Sequence, residues 1–219
     1  MKVRTPEELQ DRLARALAWR KLEITHLVTA MRTDGPRRDT FVRCGVALLY
    51  AHWEGFIREA AVLYLWFVGS QKLTYTDLAP NFAALKVRGR LTAARAGDTG
   101  TLYVDAVAFL MDELHNRYYI DADRAVSTRA NLSWRVLRDI VVSLGVSFST
   151  FEDKQHRIDE CLLKARNEIA HGEYQVVNMT DFEETRAEVL ELMDAFRSAL
   201  IAAAVNGTYR RVASAATTG

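Results

Sequence analysis

Metal-binding patterns, nucleotide-binding glycine loops and long apolar runs are all missing from this chain, and each absence removes a class of function. The histidines are His26, His52, His115, His156 and His171; they form no H-E-x-x-H or His-x-His pattern, and no Asp/Glu-rich metal box accompanies them. A protein-bound catalytic metal therefore has no support in the sequence. G-x-x-x-x-G-K-S/T and G-x-G-x-x-G loops are absent, which removes P-loop and dinucleotide sites, and there is no G-x-S-x-G elbow for a serine nucleophile. Cysteine is scarce: Cys44 and Cys161 stand in unrelated contexts, which argues against a zinc ribbon or a disulfide framework and for a reducing compartment. Lysine is scarce as well, 6 against 23 arginines. A GC-rich genome gives that bias as readily as selection for phosphate-binding forks does. The most apolar region, 41–68, carries His52, Glu54, Arg58 and Glu59 in its middle, and its longest unbroken run, Ala60 to Val68, falls far short of the ~20 residues that span a bilayer. The first residues, MKVRTPEELQD, hold no apolar segment of signal-peptide type. The expectation is a cytoplasmic protein with no membrane association.

What is present is ordinary globular composition, 49% hydrophobic and 26% charged, in 219 residues. That suffices for one core. The net charge of +1 creates no general attraction for polyanions, so any nucleic-acid site has to be a local patch. Helical periodicity dominates. Thr5-Pro6-Glu7-Glu8 reads as a cap, a first-turn proline and a capping-box glutamate. Leu9, Leu13, Leu17, Ile24, Leu27, Val28 and Met31 follow at helical spacing, up to Asp34-Gly35-Pro36. A second long helix is predicted from about Arg38 to Val68, apolar nearly all round and hence central. Residues 71–98 predict a short helix and loops, 101–119 and 131–144 further helices, with Gly145 as a cap. A helical stretch opens at Ser149 and ends at His171-Gly172. Thr180-Asp181-Phe182-Glu183 reads as a capping box for a last helix to about Val205. The predicted fold class is all-α: a compact helical bundle over 1–205, with an irregular insertion around 71–130 and a flexible tail at 206–219.

With metal, nucleotide-loop and serine chemistry unsupported, histidine acid–base chemistry is the main remaining candidate. The informative segment is Lys164-Ala165-Arg166-Asn167-Glu168-Ile169-Ala170-His171-Gly172-Glu173. Asn167 and His171, four apart, share one helix face, and Arg166 approaches the same cleft from the side. Gly172 places His171 in the last turn, where unpaired carbonyls and the negative end of the helix dipole favour a cation. A histidine there can act as acid or base, and Arg166 can hold a phosphate. A plain helix terminus in an arginine-rich chain has the same spacing. Arg20 and His26 meet it too, inside the first helix, where they read as a solvated face.

The string Arg166-Asn167-x-x-x-His171 at the end of a late helix resembles the Arg-x(4–6)-His signature of HEPN ribonucleases. Leu48-Leu49-Tyr50-Ala51-His52-Trp53-Glu54-Gly55-Phe56 resembles the early-helix signature of a branch of small stand-alone prokaryotic HEPN proteins, and Ile169-Ala170-His171-Gly172-Glu173 agrees with the same branch. The likeness covers roughly 30–205. It implies a HEPN-type bundle, a homodimer whose Arg/His motifs meet in a cleft, and metal-independent RNA cleavage that needs no cofactor and leaves a cyclic phosphate. It also implies toxin–antitoxin or antiviral roles with an antitoxin or regulatory partner. On this resemblance Arg166, His171 and Asn167 are the catalytic candidates. Some members carry His-x-Tyr, whereas Tyr174 here stands at His-x-x-Tyr.

Glu54, His52 and Tyr174 are candidates for supporting roles. Two apart on a helix, His52 and Glu54 point about 200° from each other. Glu54 lines up with Tyr50 and Arg58 and can border the cleft, whereas His52 reads as a hydrogen-bonded core histidine. Candidate RNA contacts are Arg37, Arg38 and Arg43, and Lys86, Arg88 and Arg90 in the irregular region; the second group has no aromatic platform interleaved. Two other readings stay open: a non-catalytic HEPN module that binds nucleotides or a partner protein, and an unrelated helical interaction protein.

Overall fold

Thr5 opens the first helix through its side-chain oxygen, which accepts from the Glu8 N–H at 3.2 Å, while the Glu8 carboxylate accepts from the Arg4 N–H at 2.7 Å. The first bond satisfies a donor that a helix start leaves without an intrahelical partner, and the second ties the residue before the cap to the first turn. The helix, α1, runs Pro6–Met31. In the computed structural model of the chain, residues 3–32, 37–97, 100–174 and 176–212 are described. The other helices are α2 (Arg38–Ser70), α3 (Pro80–Gly97), α4 (Gly100–Ala108), α5 (Ala122–Ala125), α6 (Trp134–Ser143), α7 (Ala165–Ala170) and α8 (Met179–Asn206). Among the described residues there are no strands, only isolated bridges between Thr74 and Arg117 and between Leu78 and Arg210. None of the described helices is long and apolar enough to cross a membrane.

The central position of α2 follows from its composition. It buries residues on every side, Trp53, Phe56, Ile57, Ala60, Ala61 and Tyr64 among them. It packs against α1 on one flank and α8 on another. Gly45 lies where α2 packs against Met31 of α1 and Phe182 of α8. A Cβ there would stand 1.9 Å from the Met31 terminal methyl and 3.1 Å from the Phe182 ring.

Three boundaries differ from the sequence expectation. The last helix is capped by Asn178, whose side chain accepts from the Asp181 N–H at 2.8 Å, so α8 begins before the Thr180 capping box. The stretch 149–171 is three helical forms in series: a 3₁₀ segment (Ser149–Lys154), a π segment (Arg157–Lys164) and then α7. The short helix expected in 71–98 is 18 residues long; within 71–130 the described residues are irregular at 71–79, 114–121 and 126–130 and helical between. Tertiary ties stabilise α3 where its sequence pattern is weak. Arg88 donates to the Ala125 carbonyl at 2.6 Å, and Arg90 forks onto Glu113 at 3.0 and 3.1 Å. Past Gly207, a left-handed C-cap at φ 68°, the chain does not fray at once. Tyr209 is buried edge-on against Phe67 and accepts from the Ala79 N–H at 2.9 Å; the Arg211 N–H donates to the Asp77 carbonyl at 2.8 Å. The remainder of the expected tail, 213–219, lies outside the described residues.

Candidate active site

The end of α7 is built by a glycine. Gly172 has φ +80°, a conformation that costs other residues roughly 1 kcal/mol. With it in place the Glu173 N–H donates to the Glu168 carbonyl at 2.9 Å and the Gly172 N–H to Ile169 at 3.1 Å, the paired bonds of a Schellman motif. His171 is the C-cap residue, its N–H bonded to the Asn167 carbonyl at 2.9 Å, and it is exposed. No hydrogen bond or ion pair engages its ring among the described residues, so both nitrogens are open to a ligand.

Arg166 is held firmly. Its Nη1 donates to Asn167 Oδ1 at 2.7 Å and to Asn131 Oδ1 at 3.1 Å, and its guanidinium lies 4.5 Å from the centroid of the Tyr50 ring. Tyr50 is buried on α2. Its hydroxyl accepts from the Leu132 N–H at 2.6 Å, and burial, reinforced by the nearby Glu54 carboxylate, pushes the phenol well above its ordinary range. Glu54 accepts a short hydrogen bond from the Thr128 hydroxyl. The 128–133 loop is thereby pinned to α2 at two points. It needs the pinning, because Arg129 (φ 56°) and Ala130 (φ 59°) are successive left-handed residues that prefer other conformations. The order of dependence runs from Tyr50 and Glu54 to the loop, from the loop to Asn131, and from Asn131 to Arg166.

The structure brings Arg166, Asn167 and Glu54 into one network, with His171 one turn beyond Asn167. His52 lies elsewhere. It is buried against α1, edge-on to Trp19 at 5.2 Å, with Nε2 2.8 Å from the Glu23 carboxylate but off the line of a good hydrogen bond. Burial lowers its pKa from 6.5, outweighing Glu23, which raises it. Tyr174 is exposed; the Arg43 guanidinium lies 5.1 Å from its ring and donates to the Glu173 carbonyl at 2.8 Å, so Arg43 braces the turn after His171. Arg37 and Arg38 are exposed at the start of α2. Lys86, Arg88 and Arg90 lie on α3, which packs on α4, α5 and α6. Arg88 and Arg90 are engaged as described, and the Lys86 ammonium lies 5.7 Å from the Tyr119 ring centroid. Arg20, read in sequence as part of a solvated face, is instead buried, paired with Glu59 at 2.9 Å and stacked 4.4 Å from Trp19. Its aliphatic stem and flat guanidinium suit a groove between two helices.

Sequence reasoning missed Tyr50 as the platform under Arg166, and it missed Thr128 and Asn131 altogether. Tyr50 did carry a signal, one turn before Glu54 on the same face. Asn131 carried none, because only tertiary folding brings its loop to α7.

The RiboL-PSP-HEPN family model matches residues 15–202, from within α1 to within the last turns of α8. Neither the curated proteins nor the solved structures contain a match. The matched stretch includes both the α2 platform and the Arg166–His171 helix, and the chain belongs to the RiboL-PSP-HEPN family.

Proposed function

We propose that the chain is a metal-independent endoribonuclease working as a homodimer, with Arg166 and His171 as its catalytic residues and Asn167 positioning Arg166. The observation that supports this most is the setting of Arg166. Two amide oxygens take up Nη1, the ring of Tyr50 lies beneath, and Nη2 and Nε have no partner among the described residues. That is the edge a phosphate would meet in a bidentate pair. His171 waits on the same helix with an unengaged ring.

In this reading the ribose 2′-oxygen attacks the adjacent phosphorus and the bond to the 5′-oxygen breaks. A histidine takes the 2′-proton and a second acid protonates the leaving oxygen, giving a 2′,3′-cyclic phosphate and a 5′-hydroxyl. Arg166 neutralises the charge that builds on the phosphorane oxygens. One histidine per chain is too few for both proton transfers at once, and a two-fold axis near α7 supplies the second. The role as a toxin or antiviral effector in the cytoplasm, restrained by an antitoxin or regulatory protein, belongs to the same proposal and rests on the HEPN resemblance alone. The test is incubation of the purified protein with total RNA in EDTA, followed by end-group analysis. Cyclic phosphate ends are expected. Activity lost in chelator and restored by magnesium contradicts the proposal, and no cleavage at all favours a non-catalytic binding module.

A further inference from the structure

A second basic site lies farther along α2, beyond Glu54. Between α1 and α2 runs a groove of about 730 Å³, the size of a small-ligand site, lined from α1 by Arg12, Arg15, Trp19 and Arg20 and from α2 by Arg58 and Trp66. These residues recur at helical spacing, so each helix presents one arginine-and-tryptophan stripe to the groove. Trp19 is half exposed although it is large and apolar. Among the described residues Arg12, Arg15 and Arg58 have neither hydrogen bond nor ion pair. Of the two acids on the wall, Glu59 is neutralised by Arg20, and Asp123 faces the three free arginines alone.

The groove begins one turn of α2 beyond Glu54, next to the Arg166 network. Tyr50, Glu54 and Arg58 follow one another at four-residue spacing on α2, so Arg58 stands roughly 12 Å along the helix from the ring that carries Arg166. The segment from Asp123 through Thr128 to Asn131 follows the same course, with a groove residue at one end and an Arg166 partner at the other.

We propose that this groove is a subsite for single-stranded RNA, in which Trp19 and Trp66 stack bases and Arg12, Arg15 and Arg58 hold backbone phosphates flanking the one bound by Arg166. Partly exposed aromatic rings beside unpaired arginines are the elements by which single strands are bound without regard to sequence. Tryptophan and arginine also serve protein interfaces, so failure of the RNA probe to bind would leave the groove to an acidic protein partner. The position of the subsite relative to the scissile phosphate rests on the ribonuclease reading; its capacity to bind RNA does not.

The experiment is fluorescence anisotropy of the full chain with a 5′-fluorescein dodecaribonucleotide, 2′-O-methylated throughout so that it cannot be cleaved. Arg58→Glu and Trp19→Ala are each expected to weaken Kd roughly ten-fold or more. Arg58→Gln should lower the slope of log Kd against log salt by about 0.7. Trp19→Phe, which keeps a ring against Arg20 and His52, should recover most of the affinity. Arg211→Glu, the same charge change in a different groove, should leave it nearly unaltered. Arg58 is exposed, so its variants give a readout even if Trp19→Ala unfolds. Wild-type protein that does not bind the probe, or groove variants that bind it like wild type, overturns the subsite. Tight binding lost in the groove variants, with no cleavage of natural RNA by wild type, upholds the subsite and sinks the ribonuclease reading instead.

Discussion

Replacing Tyr50 by phenylalanine removes one oxygen atom and keeps the ring on which Arg166 rests. The lost hydroxyl accepts from the Leu132 N–H at 2.6 Å, and Leu132 is fully buried. No water can replace the acceptor, so the change leaves a buried donor unpaired, at a cost of about 1–3 kcal/mol. For a domain of this size that lowers Tm by about 2–12 °C. The damage is directional, because Leu132 adjoins Asn131 and the loop already holds two left-handed residues. A loosened loop withdraws the 3.1 Å bond from Asn131 to Arg166, and RNA cleavage should fall on the order of ten-fold. Tyr64→Phe is the control. Its hydroxyl is buried with no partner among the described residues, so removing it should leave Tm equal or higher and activity intact. Both readouts are simple: a thermal melt, and cleavage of a fluorogenic oligoribonucleotide in EDTA. Equal melting and equal cleavage rates for Tyr50→Phe and Tyr64→Phe would refute the claim that the Tyr50 hydroxyl organises the site.

Three further outcomes are expected. His52 has a pKa below its unfolded value of 6.5 because it is buried, so its contribution to stability is full above pH 6.5 and declines as the pH falls and the unfolded chain takes up the proton first. Wild-type Tm should therefore drop between pH 7.5 and 5.5 more steeply than that of His52→Gln, and parallel slopes would contradict this. Gly172→Ala meets no atom within 4 Å but must adopt φ +80°, so it should cost roughly 1 kcal/mol in a denaturant titration through strain alone; no change in midpoint would show that the cap is not needed. Sedimentation at micromolar concentration should show a dimer whose interface includes the 157–171 segment. A monomer that still cleaves RNA would remove the composite site from the mechanism.

Long, strongly periodic helices were legible in the sequence because each carries its own apolar stripe and cap. Thr5 and the leucine series of α1, and the apolar length of α2, are local facts. The length of α3 was not legible, since arginine ties to Ala125 and Glu113 stabilise it from outside. Arg166 and His171 stood out through their spacing and the glycine after them. Their supports did not, because Asn131 and Thr128 are ordinary loop polar residues until folding brings the loop against α2 and α7. Arg20 misled for the opposite reason: an arginine on a helix looks solvated, and only the partner carboxylate of Glu59 and the flanking tryptophan explain its burial.

The most direct measurement of the central claim is RNA cleavage in EDTA by His171→Ala beside His26→Ala, each checked by thermal melting and sedimentation. Both histidines are exposed on helices and neither side chain fills the core, so both variants should fold as wild type does. General acid–base catalysis contributes ~10²–10⁴-fold, and His171→Ala should lose at least that much while His26→Ala retains wild-type rates. Heterodimers of wild-type and His171→Ala chains should fall well below half the wild-type rate. If the two folded variants cleave RNA equally well, His171 is only the end of a helix, and the active-site assignment is wrong.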